Sequence, residues 1–281
     1  MFRKRSLVGA LFVLACLTGL GAQAPQDDEA VWKAFMAWFK AVPPAAGNPL
    51  SAYATSLRTA KAPEEEVKRQ VAVLTRMLMR ERSDWVETFY DKAFTRPLTG
   101  NPARDGFAQT PSAIVVETVK GLTPGTALDA GMGQGRNAIY LAGQGWKVTG
   151  FDLSREAIKA ADANAAKAGV RIQAMKAGYA DFDFGTAKWD LIVLTFAWAP
   201  VGDPAFVARL QKSLRPNGRI VFEHFLDDPE APRPVVMQVL KPGQLRELFK
   251  GFRLDRYEEL EGTADWAGPE TLMVRMVAVK Q

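Results

Sequence analysis

The strongest constraint on how this 281-residue chain can fold is a change of period. From Asp27 to about Gly125 the apolar residues recur at helical spacing; beyond it, short runs rich in β-branched residues alternate with helical stretches. Strands are expected over 126–132, 147–153, 171–176, 189–196, 218–225, 252–261 and 271–280, with helices between the first five and another over 243–250. Seven strands in such alternation need crossover connections, and so an open, mostly parallel sheet covered by helices on both faces. About ten residues join the last two strands, too few for a crossover helix, so the last strand should run antiparallel. The expected fold is α/β, a seven-stranded, mostly parallel, doubly wound sheet behind an N-terminal helical extension.

In that extension Val31, Trp32, Phe35, Trp38, Phe39 and Val42 share a helix face until Pro43-Pro44 ends it. A second helix is expected from Pro63-Glu64-Glu65-Glu66, where acids suit the helix dipole, with Val67, Val71, Leu74 and Leu78 on one face. The stretch between them, rich in Pro, Ala, Gly and Ser, reads as a loop. Trp85, Phe89, Tyr90 and Phe94 then lead to the turn cluster Thr99-Gly100-Asn101-Pro102. These aromatics suit packing against the neighbouring domain, or a lid over a binding site.

The start of the chain has the order of an export signal. Arg3-Lys4-Arg5 precede an uncharged stretch from Ser6 to Gln26, whose apolar heart runs from Leu7 to Leu17, and Ala22-Gln23-Ala24 is a small-x-small site. The expected organisation is a signal peptide or membrane anchor over 1–24, a helical extension or lid over 27–110, and the sheet domain over 111–281. The protein is expected to be exported, periplasmic or membrane-anchored, touching a membrane only through residues 6–26 if that segment is retained. A lipoprotein box at Val13-Leu14-Ala15-Cys16 and a cytoplasmic location are the alternatives.

Composition narrows the chemistry. With 48% hydrophobic and 24% charged residues the chain can bury a sizeable core. One Cys and one His cannot build a zinc cluster or a disulfide framework, so no metal is expected. The net charge is +5, and Arg3, Lys4 and Arg5 account for three of those charges. The remaining balance gives no electrostatic case for nucleic acid as a partner.

The chemistry-bearing motif is Leu128-Asp129-Ala130-Gly131-Met132-Gly133-Gln134-Gly135-Arg136-Asn137, at the end of the first strand and the start of its helix. Ligands bind such sheets at this place, and Gly131, Gly133 and Gly135 let the backbone turn sharply and approach one closely. The spacing is G-x-G-x-G, with Arg136 where a dinucleotide fingerprint needs a small residue, which opposes a dehydrogenase. Asp129, just before the first glycine, adds a carboxylate at the mouth of the loop, which suits a cationic ligand better than a pyrophosphate. Asp152 ends the second strand, where an acid can accept hydrogen bonds from ribose hydroxyls.

On these residues the chain, from about Phe107 to Gln281, resembles the class I S-adenosylmethionine-dependent methyltransferases. Their first motif is similar to Leu128–Gly135, their acidic second motif to Gly150-Phe151-Asp152-Leu153-Ser154, and their fourth-strand motif to Trp189-Asp190-Leu191-Ile192-Val193. Gly135-Arg136-Asn137-Ala138 and Tyr140-Leu141-Ala142 also resemble the tellurite-resistance and thiopurine-like small-molecule branch. The resemblance implies S-adenosyl-L-methionine as cofactor, held by Asp129, Gly131, Gly133, Gly135, Asp152 and Leu153, with Asp181 meeting the adenine amino group. Thr195-Phe196-Ala197-Trp198 stands where base and glutamine methylating enzymes carry Asn-Pro-Pro-Tyr or Asp-Pro-Pro-Tyr, so amino methylation of DNA bases or protein glutamine is not supported, and the resemblance to the small-molecule branch implies a small molecule as substrate. Trp198, His224 and Trp266 are expected to line its pocket, roofed by the N-terminal helices, with His224 as candidate catalytic base. The rival is an exported, non-catalytic binding protein that kept the fold.

Overall fold

The computed structural model describes residues 24–43, 48–78, 83–96, 107–228, 240–264 and 268–281. The expected export signal up to residue 23, the Thr99–Pro102 turn and Trp266 lie outside them. Among the described residues no helix is long and apolar enough to cross a membrane. The chain divides into two compact units, one ending at Val86 and one beginning at Glu87.

The first unit is helical: α1 (Ala24–Ala41), α2 (Pro49–Thr59), α3 (Glu64–Leu78) and the first turn of α4 (Ser83–Thr95). Its core gathers Trp32, Phe35, Tyr53, Leu57, Val67 and Leu74, with the Tyr53 ring edge-on to Phe35 at 5.3 Å. The indole N–H of Trp32 donates to Asp84 Oδ2 at 3.0 Å, so the polar end of this buried side chain is satisfied. Helix α2 replaces the expected loop between α1 and α3. Asn48 Oδ1 accepts from Leu50 N at 2.9 Å, Pro49 takes the first helical position, and Tyr53, Ala54 and Leu57 bury one face. The Pro and Ser of that stretch were start signals within a helix, not breaks.

The second unit opens with the rest of α4 and α5 (Ala113–Val119), then alternates β1 (Thr126–Ala130), α6 (Arg136–Gly143), β2 (Lys147–Asp152), α7 (Arg155–Lys167), β3 (Gln173–Lys176), β4 (Trp189–Thr195), α8 (Pro204–Ser213) and β5 (Leu214–Phe225). Helix α9 (Gln244–Leu248) and the pair β6 (Arg253–Ala264) and β7 (Gly268–Val279) complete it. The seven strands are ordered β3-β2-β1-β4-β5-β7-β6, parallel except for β7, which runs antiparallel to both neighbours. Strand order reverses between β1 and β4, and that switch point opens the crevice where such sheets take ligands. Asp203 caps α8 ahead of Pro204, and Ser154 caps α7 by accepting from Ala157 N at 3.1 Å.

One expected helix is absent: residues 177–188, between β3 and β4, form a loop. Its aromatics cover the sheet where a helix would. Phe182 stacks on Phe151 at 4.2 Å, Phe184 lies edge-on to both rings, and the Trp189 indole N–H donates to Phe184 O at 2.8 Å. Burying two rings from a short loop removes the same apolar surface from water as a helix face does.

Candidate functional site

The loop after β1 is built on left-handed backbone: φ is +73° at Gly131, +55° at Gly133 and +86° at Gly135. A side chain is excluded at Gly131 also by space, because a Cβ there falls 2.6 Å from Tyr179 Oη and 2.7 Å from Ala197 Cβ. The loop is hooked to β2 by Gly131 N and Met132 N, which both donate to Phe151 O, at 2.9 and 3.0 Å. Backbone conformation thus favours glycine at all three positions, and packing demands it at Gly131.

Asp152 continues the hook. Its Oδ2 accepts from Gly133 N at 2.9 Å and its Oδ1 from Ser154 N at 2.8 Å, so one carboxylate ties the glycine loop to the start of α7. Burial raises its pKa, with the bonds from Ser154 N and Gly133 N opposing that rise. Each carboxylate oxygen has a second lone pair, which is what a diol ligand would use.

Asp129 lies beneath the loop rather than at its mouth. It is 2% exposed, and Oδ2 accepts from Ala138 N at 3.0 Å, in the first turn of α6. Burial pushes its pKa up to about 7, against the pull of Arg136 and of the Ala138 N–H, while Asp152 adds to the rise. A folded-state pKa raised above the unfolded value of 3.8 means that the native protein keeps a proton which the unfolded chain gives up. Stability from this group is therefore greatest at low pH and is lost as pH rises towards 7. Between pH 5 and 8 the wild type should lose about 2–3 kcal/mol relative to Asp129→Asn, at 1.36 kcal/mol per unit. Urea unfolding at the two pH values checks this; parallel pH curves for the two proteins would refute it.

Leu153 and Asp181 come together across Gly178. A Cβ on Gly178 would lie 3.3 Å from Asp181 Oδ2 and 3.7 Å from Leu153 Cδ1, so the missing side chain makes room for the carboxylate. The three line a cavity of about 570 Å³ with Met175, Phe182 and Lys188. An acid beside an apolar wall at the ends of β2 and β3 suits the edge and face of a purine.

At the end of β4, Phe196 holds φ +51°, a conformation that bulky side chains rarely adopt. Its N–H donates to Glu223 O at 2.7 Å, and it buries its ring with Phe225 and Met273. Trp198 packs on this cluster and sets its indole edge-on to His224 at 4.5 Å. His224 is 6% exposed, with Nδ1 3.4 Å from Phe225 O. Trp198 and His224 are thus together at the carboxyl ends of β4 and β5.

Sequence reasoning missed two sets of residues. From α4, Asp91 Oδ1 accepts from Ser154 Oγ at 2.6 Å and from Glu156 N at 3.3 Å, and a Cβ on Gly133 would lie 3.2 Å from Phe94 Cζ. From the segment before α5, Ser112 N donates to Asn137 Oδ1 at 2.9 Å and Ser112 Oγ donates to Glu223. Glu223 Oε1 accepts from Arg275 Nε at 2.7 Å, and Asn137 Nδ2 donates to Thr195 Oγ1 at 2.8 Å. These partners are far apart in sequence, and no motif spacing signals them. The one local trace is the aromatic run Trp85, Phe89, Tyr90 and Phe94, which says nothing of Asp91.

The sheet order, the glycine loop at the switch point and the acid ending β2 give the second unit a known fold, and in fold and sequence it is similar to the class I S-adenosylmethionine-dependent methyltransferases. The sequence profile of the family described as Methyltransferase domain matches residues 127–218. Among the proteins it is similar to is TehB. The probable S-adenosyl-L-methionine-dependent methyltransferase TehB of Haemophilus influenzae is 27% identical over 157 residues, covering 53% of each chain. Hemagglutinin 1 of Eikenella corrodens is 29% identical over 167 residues, 57% of this chain and 54% of that one. The chain spans about half the length of these curated relatives. The crystal structure of TehB from H. influenzae shares the fold with a TM-score of 0.52 at 21% identity, over 60% of this chain and 62% of that one. The [4+2]-cyclase SpnF shares it with a TM-score of 0.55 at 16% identity, over 69% and 94%.

Proposed function

We propose that this chain transfers a methyl group from S-adenosylmethionine to a small molecule. The observation that carries the reading is Asp152, whose two oxygens tie the glycine loop to α7 at the switch point. The residues present fit the cofactor. Asp152 would hold the ribose hydroxyls, and Leu153 and Asp181, beside the cradle left open by Gly178, would meet the face and edge of adenine. The loop Gly131–Gly135 would lie along the methionine part. When bound, the cofactor supplies an electrophilic methyl group on a cationic sulfonium. What this chain's residues must do is align an acceptor, exclude water and take up the acceptor's proton.

The aromatic cluster of Phe196, Trp198 and Phe225 supports a compact apolar acceptor site, and the His224 imidazole beside Trp198 is the candidate to take up the acceptor's proton. His224→Gln should keep cofactor affinity and lower kcat by about 10²-fold; full turnover with an unaltered pH profile would remove it as base. Titrating the full-length protein calorimetrically with S-adenosylmethionine and with NAD tests the cofactor itself. Binding of the first alone is expected, and binding of NAD alone, or of neither, overturns the reading.

A second reading is binding or other chemistry on the same fold. It is favoured by the likeness to Hemagglutinin 1 and by the fold that is shared with the [4+2]-cyclase SpnF. Formation of S-adenosylhomocysteine when the protein is incubated with a panel of small thiols, amines and phenols separates the two.

A further inference from the structure

Residues 177–188 carry Asp181 without a helix to fix their backbone, and a neighbouring helix supplies the fixing. From α8, Arg209 Nη2 donates to Tyr179 O at 3.2 Å and to Phe182 O at 3.3 Å. These two carbonyls flank Asp181 in sequence. Within the turn, Asp181 N and Phe182 N both donate to Gly178 O, at 3.2 and 3.0 Å. A loop has no ladder of its own to satisfy its carbonyls, and a charged donor is a strong partner for them.

The arginine is itself held in place. Its guanidinium carbon lies 5.0 Å from the centroid of the Phe184 ring and 5.8 Å from that of Phe206. Phe206, in α8, also meets Phe184 and Tyr179 edge-on, at 5.6 and 5.7 Å. The Tyr179 hydroxyl in turn donates to Ala130 O at 3.1 Å, just before the glycine loop. Arg209 thus ties α8 to both sides of the turn that carries Asp181, while Tyr179 ties that turn to β1. Asp181 is exposed, and it lines the cavity with Leu153 and Gly178. On an untied loop such a carboxylate would have to be ordered by its ligand, and that ordering weakens affinity.

We propose that Arg209 is a positioning residue for the choice of base: by fixing the turn 178–182 it aims the Asp181 carboxylate at the exocyclic amino group of adenine, so that an adenosyl ligand is preferred to one with a keto oxygen there. The proposal rests on the methyltransferase reading above and deepens it. An amino group donates to a carboxylate, whereas a keto oxygen only accepts, and two facing acceptors repel. How large that difference becomes depends on how firmly the carboxylate is aimed.

The test is calorimetric titration with S-adenosylhomocysteine and S-inosylhomocysteine, which differ in that group of the base. The full-length wild type, Arg209→Met, Arg209→Lys, Asp181→Ala and the Arg209→Met/Asp181→Ala double variant are compared, with thermal unfolding of each as a control. The wild type should bind the adenosyl ligand about tenfold or more tightly than the inosyl ligand. Arg209→Met and Arg209→Lys should each cut that ratio about fivefold. Asp181→Ala should lose the preference, and adding Arg209→Met to it should change the ratio less than about twofold. Arg209→Lys keeps a cation over the Phe rings and gives the readout if Arg209→Met fails to fold. A wild-type ratio in the Arg209 variants, even with both affinities lowered, makes Arg209 a structural tie only and overturns the proposal. A preference that survives Asp181→Ala, or a wild type that binds both ligands equally, overturns it too while leaving cofactor binding intact. A wild type that binds neither ligand instead removes the methyltransferase reading, and the proposal with it.

Discussion

Glu223→Ala is expected to destabilise the sheet unit by about 3–5 kcal/mol, the range for removing one member of a buried ion pair. Glu223 is 3% exposed and lies directly across from Arg275 in the β5–β7 register, accepting from its Nε at 2.7 Å. Its other oxygen accepts from Ser112 Oγ, which fixes the N-terminus of α5 against β5. Truncation leaves a guanidinium and a hydroxyl without their acceptor and opens a cavity between strands. The Arg275 side chain is 22% exposed, so water recovers part of its solvation and the loss should fall near the lower end of that range. The charge itself contributes little net stability, because taking it out of water costs about as much as the pair returns. Replacing Glu223 and Arg275 together by leucine should therefore recover most of what the single truncation loses. Urea unfolding measures all three proteins, and a cost below about 1 kcal/mol for Glu223→Ala would refute the account.

Asp152→Ala should behave in the opposite way, with a large effect on binding and a small one on stability. Two hydrogen bonds from Gly133 N and Ser154 N to this carboxylate disappear, each worth about 1.5–3 kcal/mol. Against that loss stands the desolvation of the carboxylate, the largest influence on its pKa, which the variant no longer carries. The two nearly offset, so a drop in stability of about 1–2 kcal/mol is expected. Binding has no such offset. With Asp152 in its proposed role the ligand would lose its charged acceptor and meet a loosened loop, and affinity for S-adenosylmethionine should fall about 100-fold or more. A variant that unfolds readily yet binds with wild-type affinity would make Asp152 a structural staple only.

What could be read from the sequence is what short-range rules govern. Gly131, Gly133 and Gly135 stand where the backbone is left-handed, Asp152 ends β2, and Ser154 and Asp203 cap their helices, because φ, capping and strand period are local properties. Helix α2 was hidden because Pro49 and Ser51 signal a helix start and a loop alike, and the deciding fact is the burial of Tyr53 and Leu57. The missing helix between β3 and β4 was hidden because Phe182 and Phe184 are buried by contact with Phe151, a residue of another strand. For the same reason Asp91 gave no sign of its bond to Ser154, which lies 63 positions away. Asp129 was found but misplaced: its position before the glycines says that it is near the loop, and only the bond from Ala138 N shows that it lies beneath it.

Strand β7 follows β6 in the sequence but sits between β5 and β6 in the sheet. During synthesis, then, β5 has a bare edge until residues 268–279 have been made, and β6 has no partner to hold it in place. An unpaired edge flanked by Phe222 and Phe225 is a template for wrong pairing, and so a natural handle for a chaperone. The sheet therefore closes only once its seventh strand has been made.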